Sequence, residues 1–568
     1  MILNELKSVL LDMRDVESVI CRNNEIYFGR HYDCIAFCNL VVQGERVPVV
    51  IGVDSDWETD LFDFYIRNYE QFAFIPHVEL TGKLCLFDLE GVLIDVDFAG
   101  LMQQCVLQAI KIISDGINET NKLDFIKEFN LYWLQLPDIK SVKFAAPEQK
   151  ESGLVKFIWD TPQKKANESI QDYRKRKKAS NIYASMTDYL SFNRWKITGS
   201  QRNGLYLFLE SKDYIFPPDI RSQLSIGYIN SLLALAAAED EKIRAVVNKL
   251  SKQTIIIFEL LQPDKSSLMI GAFCNNAKLV IKNNTLQLTD DTIINPLYVE
   301  RNDRKFIQSR VADSANPLAG KSFLIIGCGS IGGYLGTYMA KAGCDDLTFV
   351  DNQTLAAENI YRHVLGMKYL GFYKADAMRQ YLFNEIPYLN VKSRDFGIQY
   401  LVRNGVIDFT KFDVIISATG NHNVNRWLNR YVQENSITVP VIYAWNEPLD
   451  IGCHAALFNQ SWNGDYEKLF SRDLNTGTLF DKTAYCEQNQ EFTRNLLGCG
   501  SSYIPYGNEV SIQTAMLALD LLKRLFTGRV NHNVVISCKG SGYFFMKAGL
   551  KCTYVYTNQK EPIVEIVL

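Results

Sequence analysis

The 568-residue sequence has no Cys-x-x-Cys pair, no apolar run of membrane-spanning length and no dominant sign of charge. Its thirteen cysteines are an odd number at unpaired spacings. That argues against a disulfide framework and a structural zinc on paired thiols, and for a reducing, cytoplasmic setting. The net charge of −4 argues against nucleic-acid binding as the main role, and the missing apolar run argues against a membrane span. The opening segment, MILNELKSVLLDMRDV, places apolar residues at helical spacing with charges between them. It is expected to fold as an amphipathic helix over 2–16, not to act as a signal peptide. No internal repeat or low-complexity stretch is present. With 47% apolar and 22% charged residues, the chain reads as a globular protein of about two to four domains.

The most informative stretch present is 321–374. An apolar strand (323–326) meets the loop Gly327-Cys328-Gly329-Ser330-Ile331-Gly332, a helical segment follows, and a second strand (347–350) ends at Asp351. This order predicts a mononucleotide-binding β-α-β unit. Glycine lets the backbone turn tightly and approach phosphate, and the helix N-terminus offers free N–H groups to anionic oxygens. Asp351 stands where a carboxylate accepts ribose hydroxyls. Asn359, Arg362 and Lys374 follow. Two cations near the phosphates suit cleavage of ATP between its α- and β-phosphates, where charge builds on the bridging oxygen. A nicotinamide dehydrogenase would leave them unexplained.

Here the sequence resembles the ThiF/MoeB and ubiquitin-activating adenylyltransferases. They carry a glycine loop, an Asp at the second strand end, then Asn, Arg and Lys at similar spacing. The resemblance covers roughly the last 265 residues. It implies ATP as substrate and Gly327, Gly329, Gly332, Asp351, Asn359, Arg362 and Lys374 as the nucleotide site. Many relatives hold zinc on two Cys-x-x-Cys pairs, which this chain lacks. Relatives also place an Asp after the third strand as a Mg²⁺ ligand. The corresponding turn here is Thr419-Gly420-Asn421, so no metal-ligating residue is assigned and Mg²⁺ is expected to be held largely by ATP phosphates and water. An arginine supplied from before the first strand would be Arg301, Arg304 or Arg310. The segment Trp445-Asn446-Glu447-Pro448 through Ile451-Gly452-Cys453-His454 resembles one found in bacterial ubiquitin-activating-like proteins, with no physical reason evident for its order.

The first part of the chain reads as a helix, strands at 25–28, 34–42 and 47–53, a turn holding Pro76-His77, the segment Gly82-Lys83-Leu84-Cys85-Leu86, and helices over 100–113 and 120–135. This is similar to the ubiquitin-conjugating fold, in which a His-Pro-Asn turn precedes the catalytic cysteine. The Asn is missing here, and His77 is the one substitute for its oxyanion-stabilising role. Cys85 is the candidate thioester cysteine, against the alternative of a buried core cysteine. Near the other end, Cys499 lies in Leu497-Gly498-Cys499-Gly500-Ser501, the segment that in the family carries the cysteine accepting the acyl group from its adenylate. Cys486 in the same long loop is the competitor, while Cys328 and Cys453 are expected to pack.

The middle of the chain holds strand-like pieces and an alanine-rich helix over 219–250. Its basic run Arg174-Lys175-Arg176-Lys177-Lys178 reads as a solvated loop rather than a phosphate or partner site. The expected fold class is α/β: an N-terminal α+β ubiquitin-conjugating-like domain (1–138), a central α+β linker domain (139–299), and a C-terminal doubly wound, Rossmann-like adenylation domain (300–568). The whole is similar to the bacterial anti-phage fusions of CBASS operons that join ubiquitin-conjugating-like and ubiquitin-activating-like domains. That resemblance implies activation of a protein C-terminus, that of a cGAS/DncV-like nucleotidyltransferase, relay through Cys499 (or Cys486) and Cys85, and transfer to an acceptor lysine. A homodimer is also expected. A sulfur-carrier adenylyltransferase and a nucleotide-binding scaffold without catalysis are the alternatives.

Overall fold

A computed structural model describes residues 2–59, 61–87, 97–147, 150–159, 168–172, 182–186, 200–236, 241–309, 316–386, 388–474, 476–488, 490–495 and 502–568. Cys499, Arg310 and the basic run at 174–178 lie outside them. The chain divides into two compact units, Met1–Asp303 and Arg304–Leu568.

The first unit opens with the helix Ile2–Leu11, shorter than expected because Val16 already begins a strand. Strands Val16–Tyr27, Arg30–Val42, Glu45–Val53 and Asp63–Ile66 form an antiparallel meander in that order. Its core-facing residues, among them Ala36, Leu40, Val49 and Ile51, pack against Met102, Cys105 and Ala109 of the helix Phe98–Ile117. Alternation along the strands puts one face in the core, as half-buried antiparallel sheets require.

The helix expected over 120–135 is two short ones, Asp124–Lys127 and Phe129–Leu134. Phe125, Phe129, Tyr132 and Trp133 belong to the same apolar cluster as Leu207, Phe258 and Ile270 of the following strands. The Trp133 indole donates to the Leu297 carbonyl at 3.1 Å. The helices just before the boundary expected at 138 thus pack with the strands that follow, while Leu6 to Ile113 form a separate apolar cluster, both within one compact unit.

The middle of the chain is built around a closed seven-stranded barrel, starting at Lys140–Ala145 and ending at Ile293–Arg301. The alanine-rich segment forms two helices among the described residues, Ile226–Leu233 and Glu241–Val247, rather than one over 219–250. Pro217 and Pro218 precede them, and a proline restricts the residue before it to extended backbone.

The second unit carries an eight-stranded sheet. From one edge its order is Asn390–Arg394, Asp346–Val350, Ser322–Ile326, Val414–Ser417, Val441–Asn446, Gly452–Phe458, Val534–Lys539 and Ile563–Val567. The first five run parallel and the last three are added antiparallel. Central strands such as FLII and VIIS are buried on both faces, which explains their continuous apolar runs. The helices Ser330–Lys341 and Asn508–Phe526 supply the core of one face, and Ile398–Arg403 and His422–Glu434 that of the other. From Ser322–Ile326 the chain first builds outward to one side and then returns to build the other. The crevice at this switch, beyond the strand C-terminal ends, is where ligands bind open α/β sheets.

Candidate functional site

A cavity of about 490 Å³ occupies that crevice. Gly327, Gly329 and Ser330 line one side, Asp351, Asn359, Arg362 and Lys374 another, and Thr419 to Asn421 a third. Gly327 has φ +90°, the left-handed region that favours glycine, and a Cβ there would sit 2.9 Å from the Ala418 carbonyl oxygen. At Gly332 a Cβ would come within 1.9 Å of the Gly327 carbonyl oxygen, so this glycine is needed for helix–loop packing itself. Gly329, by contrast, has nothing within 4 Å of a built Cβ, because it faces the open cavity. It leaves room for a ligand, and the three glycines thus do different work.

Asp351 ends its strand with both carboxylate oxygens engaged. Oδ2 accepts the Cys328 amide at 2.7 Å and Oδ1 the Gln353 amide at 2.8 Å. The carboxylate holds the glycine loop and keeps lone pairs that further donors can reach. Lys374 opens the helix Lys374–Glu385 and donates from Nζ to Gln353 Oε1 at 2.9 Å. It is 7% exposed, and burial pushes its ammonium below the ordinary lysine value, opposed by nearby Asp351 and reinforced by Arg362. The site is therefore poised for anions. Asn359 spends its side-chain oxygen on the Ala356 amide at 3.1 Å, capping the short turn that presents Arg362.

Sequence reasoning passed over several neighbours. His363 donates from Nε2 to the Cys328 carbonyl at 2.6 Å, while its Nδ1 accepts the Leu365 amide at 3.0 Å. Burial lowers its pKa to about 4, so it is a neutral brace behind the glycine loop. Tyr506, from the returning leg of the long loop, lies under the Arg362 guanidinium at 4.9 Å from ring centroid and within 3.4 Å of Ser330 Oγ. Adjacency to Arg362 was the only signal for His363, and Tyr506 lay 144 positions further along.

Of the three candidates for the arginine supplied from before the first strand, two are engaged in other pairs. Arg301 forms a two-pronged pair with Asp303 at 2.8 and 2.9 Å. Arg304 pairs with Asp345 at 3.3 Å and donates to the Tyr388 carbonyl at 2.8 Å, at the sheet end opposite the cavity. Gly420 has φ +64°, the left-handed region that favours glycine, and Asn421 turns its oxygen onto the Asn423 and Val424 amides as a helix cap. Among the described residues no group of three His, Cys, Asp or Glu could hold a metal, and Asp351 is the cavity's one carboxylate. These residues do not assemble a Mg²⁺ site of their own.

The long loop is anchored by the motif whose order had no evident reason. His454 is fully buried. Its Nε2 reaches Glu447 Oε1 at 3.0 Å and its Nδ1 the Ser537 hydroxyl at 2.8 Å. Glu447 then accepts the amides of Tyr485 at 2.6 Å and Cys486 at 3.1 Å. Cys486 is buried with Ile451, Tyr485 and Phe545, and burial followed by the Glu447 charge pushes its thiol up to about 12. Burial of this kind disfavours the thiolate. Cys328 and Cys453 are also buried.

The Cys85 site lies in the first unit. Val78 and Leu84 pair across a tight hairpin with Gly82 at φ +81°, and Lys83 bridges it to Tyr65. Cys85 follows, half-buried, its amide donating to the His77 carbonyl at 2.9 Å. Burial, then Glu79 and Glu128, push the thiol up to about 11, with Lys83 opposing. His77 is not free to replace an oxyanion donor. Its Nδ1 meets Glu128 Oε1 at 2.7 Å and its Nε2 meets Asp124 Oδ2 at 3.2 Å. Its pKa is raised, chiefly by the Glu128 hydrogen bond. It acts as a latch that shapes the turn through its backbone, whose amide donates to Tyr132 and Glu128.

Residues 305–539 match the ThiF family and residues 18–142 match Prokaryotic E2 family B. Over 478 residues the chain is 23% identical to the ATP-dependent ubiquitin transferase-like protein Cap2 of Pseudomonas aeruginosa, covering 79% of each. Over 547 residues it is 23% identical to Cap2 of Escherichia coli, covering 86% of each. A molybdopterin-synthase adenylyltransferase of Haemophilus influenzae is 28% identical over 131 residues, 23% of this chain and 52% of that one.

Proposed function

We propose that this chain, a ubiquitin-transferase-like enzyme that joins a prokaryotic E2 family B domain to a ThiF-family domain, adenylates a protein C-terminus, relays it through two cysteines and conjugates it to an amine. The observation that carries the reading is Arg362 and Lys374 beside the glycine loop of one cavity, on the same chain as the Cys85 hairpin. ATP is the substrate of the first step, seated on the glycine loop with its ribose at Asp351. A carboxylate oxygen attacks the α-phosphorus, the bond to the β-phosphate oxygen breaks, and Arg362 and Lys374 take up the charge of the departing pyrophosphate. A thiolate then attacks the acyl carbon and displaces AMP. The burial of Cys486 supports Cys499 as that thiol. Cys85 accepts the acyl group by thiol exchange, and an acceptor lysine amine displaces Cys85 to form the amide.

Resemblance to the anti-phage fusions supports a cGAS/DncV-like nucleotidyltransferase as the activated protein, with a homodimeric, cytoplasmic enzyme. No helix among the described residues is long and apolar enough to cross a membrane. Gly420 favours the competing reading of a nucleotide-binding scaffold; the two cations in the cavity speak against it.

The test is exchange of labelled pyrophosphate into ATP with the purified nucleotidyltransferase, alongside the same protein lacking its C-terminal residues. Exchange that requires the intact C-terminus and falls about 10²- to 10³-fold in Arg362→Ala and Lys374→Ala is the expected result. No exchange with wild type overturns catalysis.

A further inference from the structure

The two residues after Pro448, Leu449 and Asp450, both have left-handed backbone, φ +51° and +58°. Non-glycine residues adopt this region at a cost, and it persists where surroundings over-determine it. Here both residues hold the same strand of chain. The Leu449 amide donates to the Pro505 carbonyl at 2.7 Å, and Asp450 Oδ1 accepts the Gly507 amide at 2.7 Å. A Cβ at Gly507 would lie 3.1 Å from Asp450 Oδ2, so the approach is close. Between the two clamped residues stands Tyr506, whose ring lines the nucleotide cavity beneath Arg362. The Tyr506 hydroxyl reaches Ser330 Oγ at 3.4 Å, where the helix Ser330–Lys341 begins.

Among the described residues, the Tyr506 ring is the contact that faces the Arg362 guanidinium. Arg362 sits at the end of a single short 3₁₀ turn, Ala357–Arg362, in which no residue is buried. A long, flexible side chain on such a turn loses rotamer freedom when it engages phosphate. A ring fixed from the opposite wall removes part of that cost in advance. The negative face of an aromatic ring attracts an arginine above it, and a guanidinium stacked this way still presents its N–H edge to an anion.

We propose that Tyr506 is a positioning residue for Arg362, held in place by the strained Leu449–Asp450 turn, and that it selects for nucleotides with phosphates beyond the α-position. This inference rests on the nucleotide-site reading above. The turn joins the paired neighbouring strands Val441–Asn446 and Gly452–Phe458, and its grip on Pro505 and Gly507 fixes the floor of the cavity.

The test uses the full chain, with ATP and AMP as probes in calorimetric titration. Tyr506→Ala is expected to weaken ATP about three- to tenfold while leaving AMP within about twofold. Tyr506→Phe keeps the ring and is expected to bind ATP nearly as wild type does. In an Arg362→Ala background, Tyr506→Ala should cause no further loss, since it acts through the missing guanidinium. Asp450→Ala should weaken ATP in the same selective way, and Asp450→Asn, which keeps the acceptor oxygen, should restore it. Equal losses for ATP and AMP, or additive losses in the double variant, overturn the proposal. Wild-type protein that does not bind ATP, or an Arg362→Ala variant that binds it normally, overturns the nucleotide-site reading instead. Near-ultraviolet circular dichroism of each variant confirms that the fold is retained.

Discussion

The Cys85 thiol faces the Glu79 carboxylate at 4.0 Å, the two ends of one hairpin. A negative charge at that distance disfavours the thiolate, and it adds to the burial that already pushes the thiol up to about 11. Both effects raise the pH at which free Cys85 becomes a thiolate.

Replacing Glu79 with Gln should lower the pH at which Cys85 becomes a thiolate. Alkylation by iodoacetamide followed at Cys85 by mass spectrometry is expected to run several-fold faster than wild type near about pH 8. An unchanged rate would mean that burial alone sets the thiol.

The His77 latch should make stability depend on pH in a specific direction. The His77 pKa is raised on folding, so its contribution is complete below the ordinary imidazole value of about 6.5 and is lost as pH rises through the higher folded value. Glu128 and Asp124 are held below their ordinary values, each net of a burial penalty that opposes the shift. Their contribution is present above about pH 4.5 and is lost as pH falls through the depressed folded values. The penalty of His77→Gln, about 1 kcal/mol, should thus be largest near about pH 5–6. It should shrink toward alkaline pH in denaturant titrations, and a penalty that grows with pH would contradict the latch.

In the C-terminal loop, Cys486→Ala should still form the first thioester, and Cys499→Ala should not. Non-reducing gels of the protein with its partner would show the band and its loss on thiol treatment. A band that survives in Cys499→Ala and disappears in Cys486→Ala would return the role to Cys486. It would also require the loop to open, since that thiol is buried and pushed up to about 12.

Asp351→Ala should cost both binding and stability. Two backbone amides lose their acceptor, an expected loss of about 1–3 kcal/mol in thermal or denaturant unfolding, together with weakened ATP binding. Full stability with weakened binding would assign Asp351 to the ribose alone.

Local chemistry in the chain was enough to reveal the nucleotide unit. Alternating apolar strand, glycine loop and helix between residues 321 and 374 are contiguous, and their spacing has few other uses. The Cys85 hairpin was legible for the same reason: Gly82, Leu84 and Cys85 are neighbours in sequence and remain so in space. Other features depend on contacts that spacing does not encode. Strands from 140 to 301 closed into a barrel because hydrogen-bond partners far apart in sequence decided pairing. His77 was legible as a residue near Cys85, but not as an ion pair with Asp124 and Glu128, which are brought to it by two helices some fifty positions later. The Glu447 to His454 motif could be recognised as a pattern. Its purpose became clear only when folding placed Tyr485, Cys486, Pro505 and Gly507 around it. Sequence by itself determined the elements whose chemistry is complete within a few dozen residues. Tertiary structure decided which thiol is buried, which arginines are already paired and which tyrosine meets Arg362, because burial and charge pairing are properties of surroundings assembled from the whole chain.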